Sequence, residues 1–209
     1  MAETPPSSLP LPFIKNLASS RLFYALWMSD GAKAQQQLAH RLSLIEAPSR
    51  REWYGCFWKV LSREWAGIDA LRLNKFLLLA RLVLRAQIGW IRSTHWGREP
   101  SSVLMEMFYR EMTSADFALG LKLHILDVLV DELVREGAFE KEEDDKFDRN
   151  RTLCFLNHLN KAVLDLVKAP EKSVRARAAD VLDDPRADWP SDKESLSEAE
   201  APDWLGFND

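Results

Sequence analysis

SREWAGIDALRLNKFLLLARLVLR, residues 62–85, decides the fold of this 209-residue chain. From Leu71 to Ile91 nearly every position is apolar, apart from Arg72, Lys75, Gln87 and a row of polar residues. At 100° per residue, Asn74, Arg81, Arg85 and Arg92 fall within about 40° of arc. The pattern predicts one long helix over Ile68–Arg92, starting near Asp69, buried on most of its circumference and basic along one narrow strip.

The surroundings extend that reading to the whole chain. The ten Pro lie almost wholly outside the periodic stretches, so residues 13–47, 49–99 and 101–169 are free of the strongest helix breaker apart from Pro48 and Pro100 between them. No alternating β-branched runs are joined by Asn-Gly or Asp-Gly, the usual mark of a hairpin. The predicted class is all-α. RLFYALWMSD, 21–30, is apolar on every side and ends near Ser29-Asp30-Gly31. Ala34, Leu38, Leu42 and Ile45 make one stripe of a second helix; Trp53, Phe57, Val60 and Leu61 make that of a third. HWGREPSS then reads as a loop before VLMEMFYREM, 103–112, with Ser101 or Ser102 as N-cap and Glu106 in the first turn. LGLKLHILDVLVDELVREG, 119–137, stops at Gly137. EKEEDDKFDR, 140–149, is a solvated loop or helix start; 152–168 and 173–182 are the last two helices. Seven or eight helices with short connections suit a bundle or an α-solenoid. The Ala-rich VRARAADVL favours tight stacking, with Arg at the layer edge, as in HEAT or armadillo repeats. The expected organisation is a Pro-rich leader over 1–12, a helical-repeat domain over 13–182, and a disordered acidic tail over 183–209.

Charge is unevenly spread. The tail from Asp183 has nine acids against Arg186 and Lys193, a net −7, so the remainder is +3 within a chain of −4. A mildly basic body with an acidic tail suits work near polyanions. Two cysteines, Cys56 and Cys154, are too few for a disulfide framework or a zinc site and point to a reducing compartment. The first twelve residues lack a basic start and an apolar region, so no secretory signal is expected. Arg81 and Arg85 interrupt the longest apolar run, which excludes a spanning helix. A soluble, intracellular protein is the expectation.

The polar residues within apolar helices are the candidate sites. Arg81, Arg85 and Arg92 in one line are either the wet edge of a central helix or a groove for phosphates or an acidic peptide, since Arg presents planar paired donors. His124, Asp127 and Asp131 share one face of the 119–137 helix. They are a polar face that pairs with basic residues of a neighbouring helix or of a partner, or else the beginning of a metal site. No second ligand motif supports a metal, and no cofactor is expected. His40, His95 and His158 are scattered; there is no GxSxG, P-loop or dinucleotide fingerprint, so no enzyme is expected. Of the eight Trp, those inside helical patterns belong to the core, whereas Trp96 sits in the HWGREPSS loop as an exposed aromatic anchor. Trp204 and Phe207 in APDWLGFND are apolar residues among acids, suited to docking on a partner or back on the domain.

FIKNLASS, LFYALWMSD, REWAGIDALRLNKFLLLARLVLR, LKLHILDVLVDEL and KSVRARAADVLDD, in that order, resemble the eukaryotic nucleolar ribosomal RNA-processing protein one family over most of residues 13–185. The family pattern falls on Trp27, Met28, Ser29, Asp30, Glu64, Trp65, Gly67, Ile68, Asp69, Leu71, Arg72, Lys75, Phe76, His124, Asp127, Asp131 and Glu132, none with a catalytic role. The resemblance implies a nucleolar, non-catalytic assembly factor of the large ribosomal subunit, built from helical repeats and needed for maturation of the precursor RNA. It also implies partners among other assembly factors, including a Brix-domain protein and a β-propeller protein, with contact to pre-ribosomal RNA left open. The alternative reading is a general helical adaptor that binds peptides of a non-ribosomal complex.

Overall fold

A computed structural model of the chain describes residues 21–140 and 146–190. Among these residues there are eight α-helices and no strand: α1 (21–27), α2 (Ala32–Ser43), α3 (Arg50–Glu64), α4 (Ala70–Ser93), α5 (Arg98–Glu106), α6 (Leu119–Arg135), α7 (Lys146–Leu166) and α8 (Lys172–Leu182). A 3-10 turn, Trp65–Gly67, follows α3, and a π-helical turn, Met107–Glu111, continues α5.

The helices stack in two rows. In one, α4 packs between α2 and α6, and α6 in turn packs on α8; in the other, α5 packs between α3 and α7. The rows meet where α4 crosses α5 and α7 meets α8. This is a stacked, all-α solenoid, one of the two arrangements that the helical pattern suited. The long central helix is α4. Asp69 caps it, its side chain accepting a hydrogen bond from the Arg72 backbone N–H at 3.0 Å. Phe76, Leu79, Ala80, Val83, Leu84, Ile88 and Ile91, spaced by threes and fours, are buried. The end of α6 also agrees with its sequence signal. Gly137 adopts φ 71°, and the Ala138 N–H reaches back to the Leu133 carbonyl at 3.0 Å, a left-handed stop that favours Gly.

Two of the family-like segments act as clips between helices. Lys75, buried in α4, donates from Nζ to the carbonyls of Trp27 (2.8 Å) and Ser29 (3.0 Å) at the end of α1. A cation there satisfies carbonyls that a helix end leaves without intrahelical donors. Phe23 stacks on Phe76 at 4.6 Å, and the Arg72 guanidinium lies over the Trp27 ring at 5.0 Å. The second clip joins α3 to α6: the Trp65 indole lies so close to Gly120 that a Cβ there would come within 2.6 Å of Trp65 Nε1. In the last helix Arg175 donates to the carbonyls of Ala169 and Pro170, both at 2.8 Å, closing the end of the preceding connection.

Two boundaries differ from expectation. Helix α5 begins at Arg98, and Ser101, expected as a cap, is fully buried inside it. Pro100 does not break this helix, because the first turn has no intrahelical use for the missing N–H. The stretch before it is therefore a tight corner and not an open loop. His95 and Trp96 take φ 51° and 54°, and Trp96 is turned inward, only 7% exposed, against Phe155 at 5.1 Å. The exposed anchor expected at Trp96 is thus corrected to a core residue. At the other end, residues 183–190 belong to the packed domain although their composition matches the tail. Trp189 meets Phe139 edge-on at 5.4 Å and donates to the Val181 carbonyl at 3.2 Å. Trp204, Phe207 and the leader lie outside the described residues.

Candidate interaction surfaces

The basic strip of α4 and the acidic strip of α6 face each other. Arg81 donates from Nε to Glu132 Oε1 (2.5 Å) and from Nη2 to Asp131 Oδ2 (3.1 Å). Arg85 donates from Nε to Glu132 Oε2 (2.6 Å) and from Nη2 to Oε1 (3.1 Å). Glu132 has no exposed surface, and both of its oxygens are taken. Asp131 is shared with Arg186, which arrives from the turn after α8 at 2.9 Å. Burial pushes the Glu132 carboxyl upward, but the hydrogen bonds from Arg85 and Arg81 outweigh it and hold its pKa below the ordinary carboxylate value. The free phosphate groove expected along Arg81 and Arg85 is therefore corrected: both guanidiniums, about a third exposed, are already paired with carboxylates of the facing helix. Pairing with a neighbouring helix is the alternative realised, and Asp127 follows it, meeting Arg177 of α8 at 3.2 Å. Burial is not uniform along this seam. Asp127 and Arg177 lie at its wet margin, where an ion pair contributes little.

His124 is also structural. Its Nε2–H donates to the Leu77 carbonyl at 2.8 Å, which commits one ring nitrogen to the α4 backbone. Among the described residues no group of three His, Cys, Asp or Glu is placed to hold a metal ion. Burial lowers the His124 pKa; the Leu77 hydrogen bond and Asp127 oppose this, while Arg81 adds to it. The sign follows from linkage: with the folded value below the unfolded one, the unfolded chain binds more protons in between. The stabilisation is complete above about pH 6.5, the ordinary histidine value, and is lost as pH falls through the lower folded value. Urea midpoints should therefore fall between pH 7.5 and pH 5.5, and His124→Gln should flatten that slope.

Arg92 lies beyond the ladder, exposed at the mouth of a cleft of about 350 Å³ whose lining includes His95, Glu136, Glu140, Asp148 and Asp188. His95 Nδ1 approaches Asp148 Oδ2 at 2.6 Å there. The cleft is mixed in charge and dominated by carboxylates, so Arg92 does not continue a basic groove. His158 Nδ1 lies 3.8 Å from Cys154 Sγ, but its Nδ1–H donates to the Cys154 backbone carbonyl at 2.7 Å. No helix among the described residues is long and apolar enough to cross a membrane.

Two features were missed in the sequence. Lys122, 2% exposed, pairs with Glu171 at 3.3 Å, a partner 49 residues away that no local pattern reveals. The second is a groove of about 360 Å³ between α3 and the α5–π segment, floored by Tyr54, Gly55, Val103 and Met107. A glycine in the middle of α3 is the signal that could have pointed to it.

Comparison with known proteins agrees with the resemblance in the sequence. A family model described as nucleolar protein, Nop52, matches residues 12–204. The mouse ribosomal RNA processing protein 1 homolog A is 32% identical over 130 residues, covering 59% of this chain and 26% of the relative. The human homolog A is 28% identical over 163 residues, covering 70% and 35%. The Caenorhabditis elegans ribosomal RNA processing protein 1 homolog is 33% identical over 129 residues, covering 58% and 32%. The matched region thus spans about a quarter to a third of each of these relatives.

Proposed function

Since the chain belongs to the Nop52 family of nucleolar proteins, we propose that it is a non-catalytic scaffold in ribosomal RNA processing, acting in assembly of the large ribosomal subunit. The observation that carries this reading is the family match over residues 12–204, which includes every described helix. Relatives named for ribosomal RNA processing support the process. The packing supports the mode of action. Many of the interior ionisable groups are committed to partners, as in the Arg81–Arg85–Glu132–Asp131 ladder, which stiffens the stack and offers no free acid–base set. A stack of this kind works through extended surfaces that hold partners in fixed relation.

The partners in this proposal are other large-subunit assembly factors, among them a Brix-domain protein and a β-propeller protein, within an early precursor particle. Contact with pre-ribosomal RNA is part of the proposal, but Arg81 and Arg85 are not its residues. The test is affinity purification of the tagged full chain from nucleolar extract, with quantification of the co-isolated RNA. Large-subunit precursor RNA is expected to be enriched at least tenfold over small-subunit precursor. Recovery of protein partners with no such enrichment would overturn the reading in favour of a non-ribosomal peptide adaptor.

A further inference from the structure

The groove between α3 and the α5–π segment is left open by the described fold, and its composition is selective. Tyr54, Val103 and Met107 supply an apolar floor, and ion pairs bridge the two walls at both ends. At one end Arg51 reaches Glu106 at 3.0 Å and Glu99 at 3.6 Å; at the other Lys59 reaches Glu111 at 3.4 Å. Gly55 lies midway between them, inside α3, where glycine is the least favourable residue after proline. Nothing within the described fold requires it, since a Cβ at this position would meet no atom within 4 Å. The space that the missing side chain leaves therefore opens outward, and glycine is the residue that lets another backbone approach closely.

We propose that this groove receives an amphipathic helix of a partner protein, crossing α3 at Gly55 with a narrow apolar ridge and flanked by Lys or Arg. The inference rests on the reading of the chain as a partner-holding scaffold. Charge decides the class of occupant. The groove's two cations, Arg51 and Lys59, are each held by a carboxylate, so phosphate or an acidic peptide would have to break those pairs. The chain's own acidic tail, with Trp204 and Phe207, is disfavoured for the same reason. Glu106 already accepts from both Arg51 and Arg110, but Glu99 and Glu111 remain partly exposed, and a carboxylate has lone pairs for a second donor. A cation flanking an apolar ridge can use them without displacing Arg51 or Lys59. Helix-in-groove docking of this kind needs only one or two turns of partner.

Cys56 lines the same groove beside Gly55, while Cys154 is buried, so a cysteine-to-lysine cross-linker reports on the site. The full chain would be cross-linked in nucleolar extract, the segment joined to Cys56 identified, and that segment synthesised and titrated against the purified full chain. A segment with apolar residues at i, i+3 or i+4 and flanking Lys or Arg is expected. It should bind at least tenfold more weakly to Gly55→Gln, whose side chain fills the groove, while thermal unfolding of Gly55→Gln occurs no lower than in the wild type. Three results would overturn the proposal: no cross-link from Cys56 to another protein, a cross-link to an acidic segment, or equal affinity for Gly55→Gln. Failure here is separable from failure of the functional reading. Precursor RNA that co-purifies with a chain whose Cys56 gives no cross-link removes the groove alone. A groove-bound peptide without precursor RNA removes the ribosomal assignment alone.

Discussion

Replacing Arg85 with alanine is expected to lower the free energy of unfolding by about 1.5–3 kcal/mol, the range for hydrogen bonds to a charged group, since Glu132 keeps Arg81 at 2.5 Å and Arg135 at 3.8 Å. The change removes two hydrogen bonds, at 2.6 and 3.1 Å, from a carboxylate with no exposed surface. Arg81 cannot replace them, because its Nε already donates to Glu132 Oε1 and its Nη2 to Asp131. Against a typical stability of about 5–15 kcal/mol for a domain, the loss is a large fraction of the total. Urea unfolding measures it. Arg85→Lys should recover only part, since an ammonium cannot reproduce the planar pair of donors. Replacing Arg85 and Glu132 together with methionine should cost less than replacing Glu132 alone, because no buried carboxylate remains, one fewer cation is left without Glu132, and Arg81 keeps Asp131 at 3.1 Å. An Arg85 that instead faced solvent or RNA would tolerate alanine within about 0.5 kcal/mol, the usual range for surface substitutions.

Trp96→Ala is expected to cost about 3–5 kcal/mol, the range for removing a large buried aromatic. The indole is 7% exposed and packs on Phe155 of α7 at 5.1 Å, so its loss opens a cavity where the α4–α5 corner meets α7. The backbone supplies an internal control. Trp96 adopts φ 54°, a conformation that disfavours any residue with a Cβ. Trp96→Gly should therefore be no more damaging than Trp96→Ala, and better by about 1 kcal/mol, although it removes more atoms. Measuring both midpoints separates a packed corner from a surface anchor, for which neither substitution would change stability appreciably.

These two residues show where reading along the chain succeeds and where it stops. The long central helix, its start at Asp69 and the stop at Gly137 were legible, because each depends on residues within a turn or two. The start of α5 was not, because Pro100 and the two serines resemble a break and a cap, whereas the Trp96–Phe155 contact closes the corner earlier. That residues 183–190 belong to the packed domain was hidden for a similar reason. Acidic composition marks residues 183–190 as tail, and only Phe139 and Asp131 show what Trp189 and Arg186 are for.

For the candidate site, the sequence singled out charges on two helices and left their direction open. Arg81 and Arg85 lie on one side of α4, and Asp127 and Asp131 on one side of α6, and periodicity established both. That these sides meet depends on α4 and α6 being neighbours in one row, and their charges are about 50 residues apart in the chain. Periodicity distinguishes the faces of a helix but carries no information about which face another helix covers.

The amino-acid order by itself therefore determined the helices, their apolar faces and the family to which the chain belongs. The tertiary structure alone decided that Arg81 and Arg85 pair with α6, that Trp96 is core, and that an apolar groove stays open beside Gly55. The physical reason is range. Helix formation and capping are settled by neighbours three or four residues away, whereas burial and ion pairing are settled by whatever distant segment packs alongside.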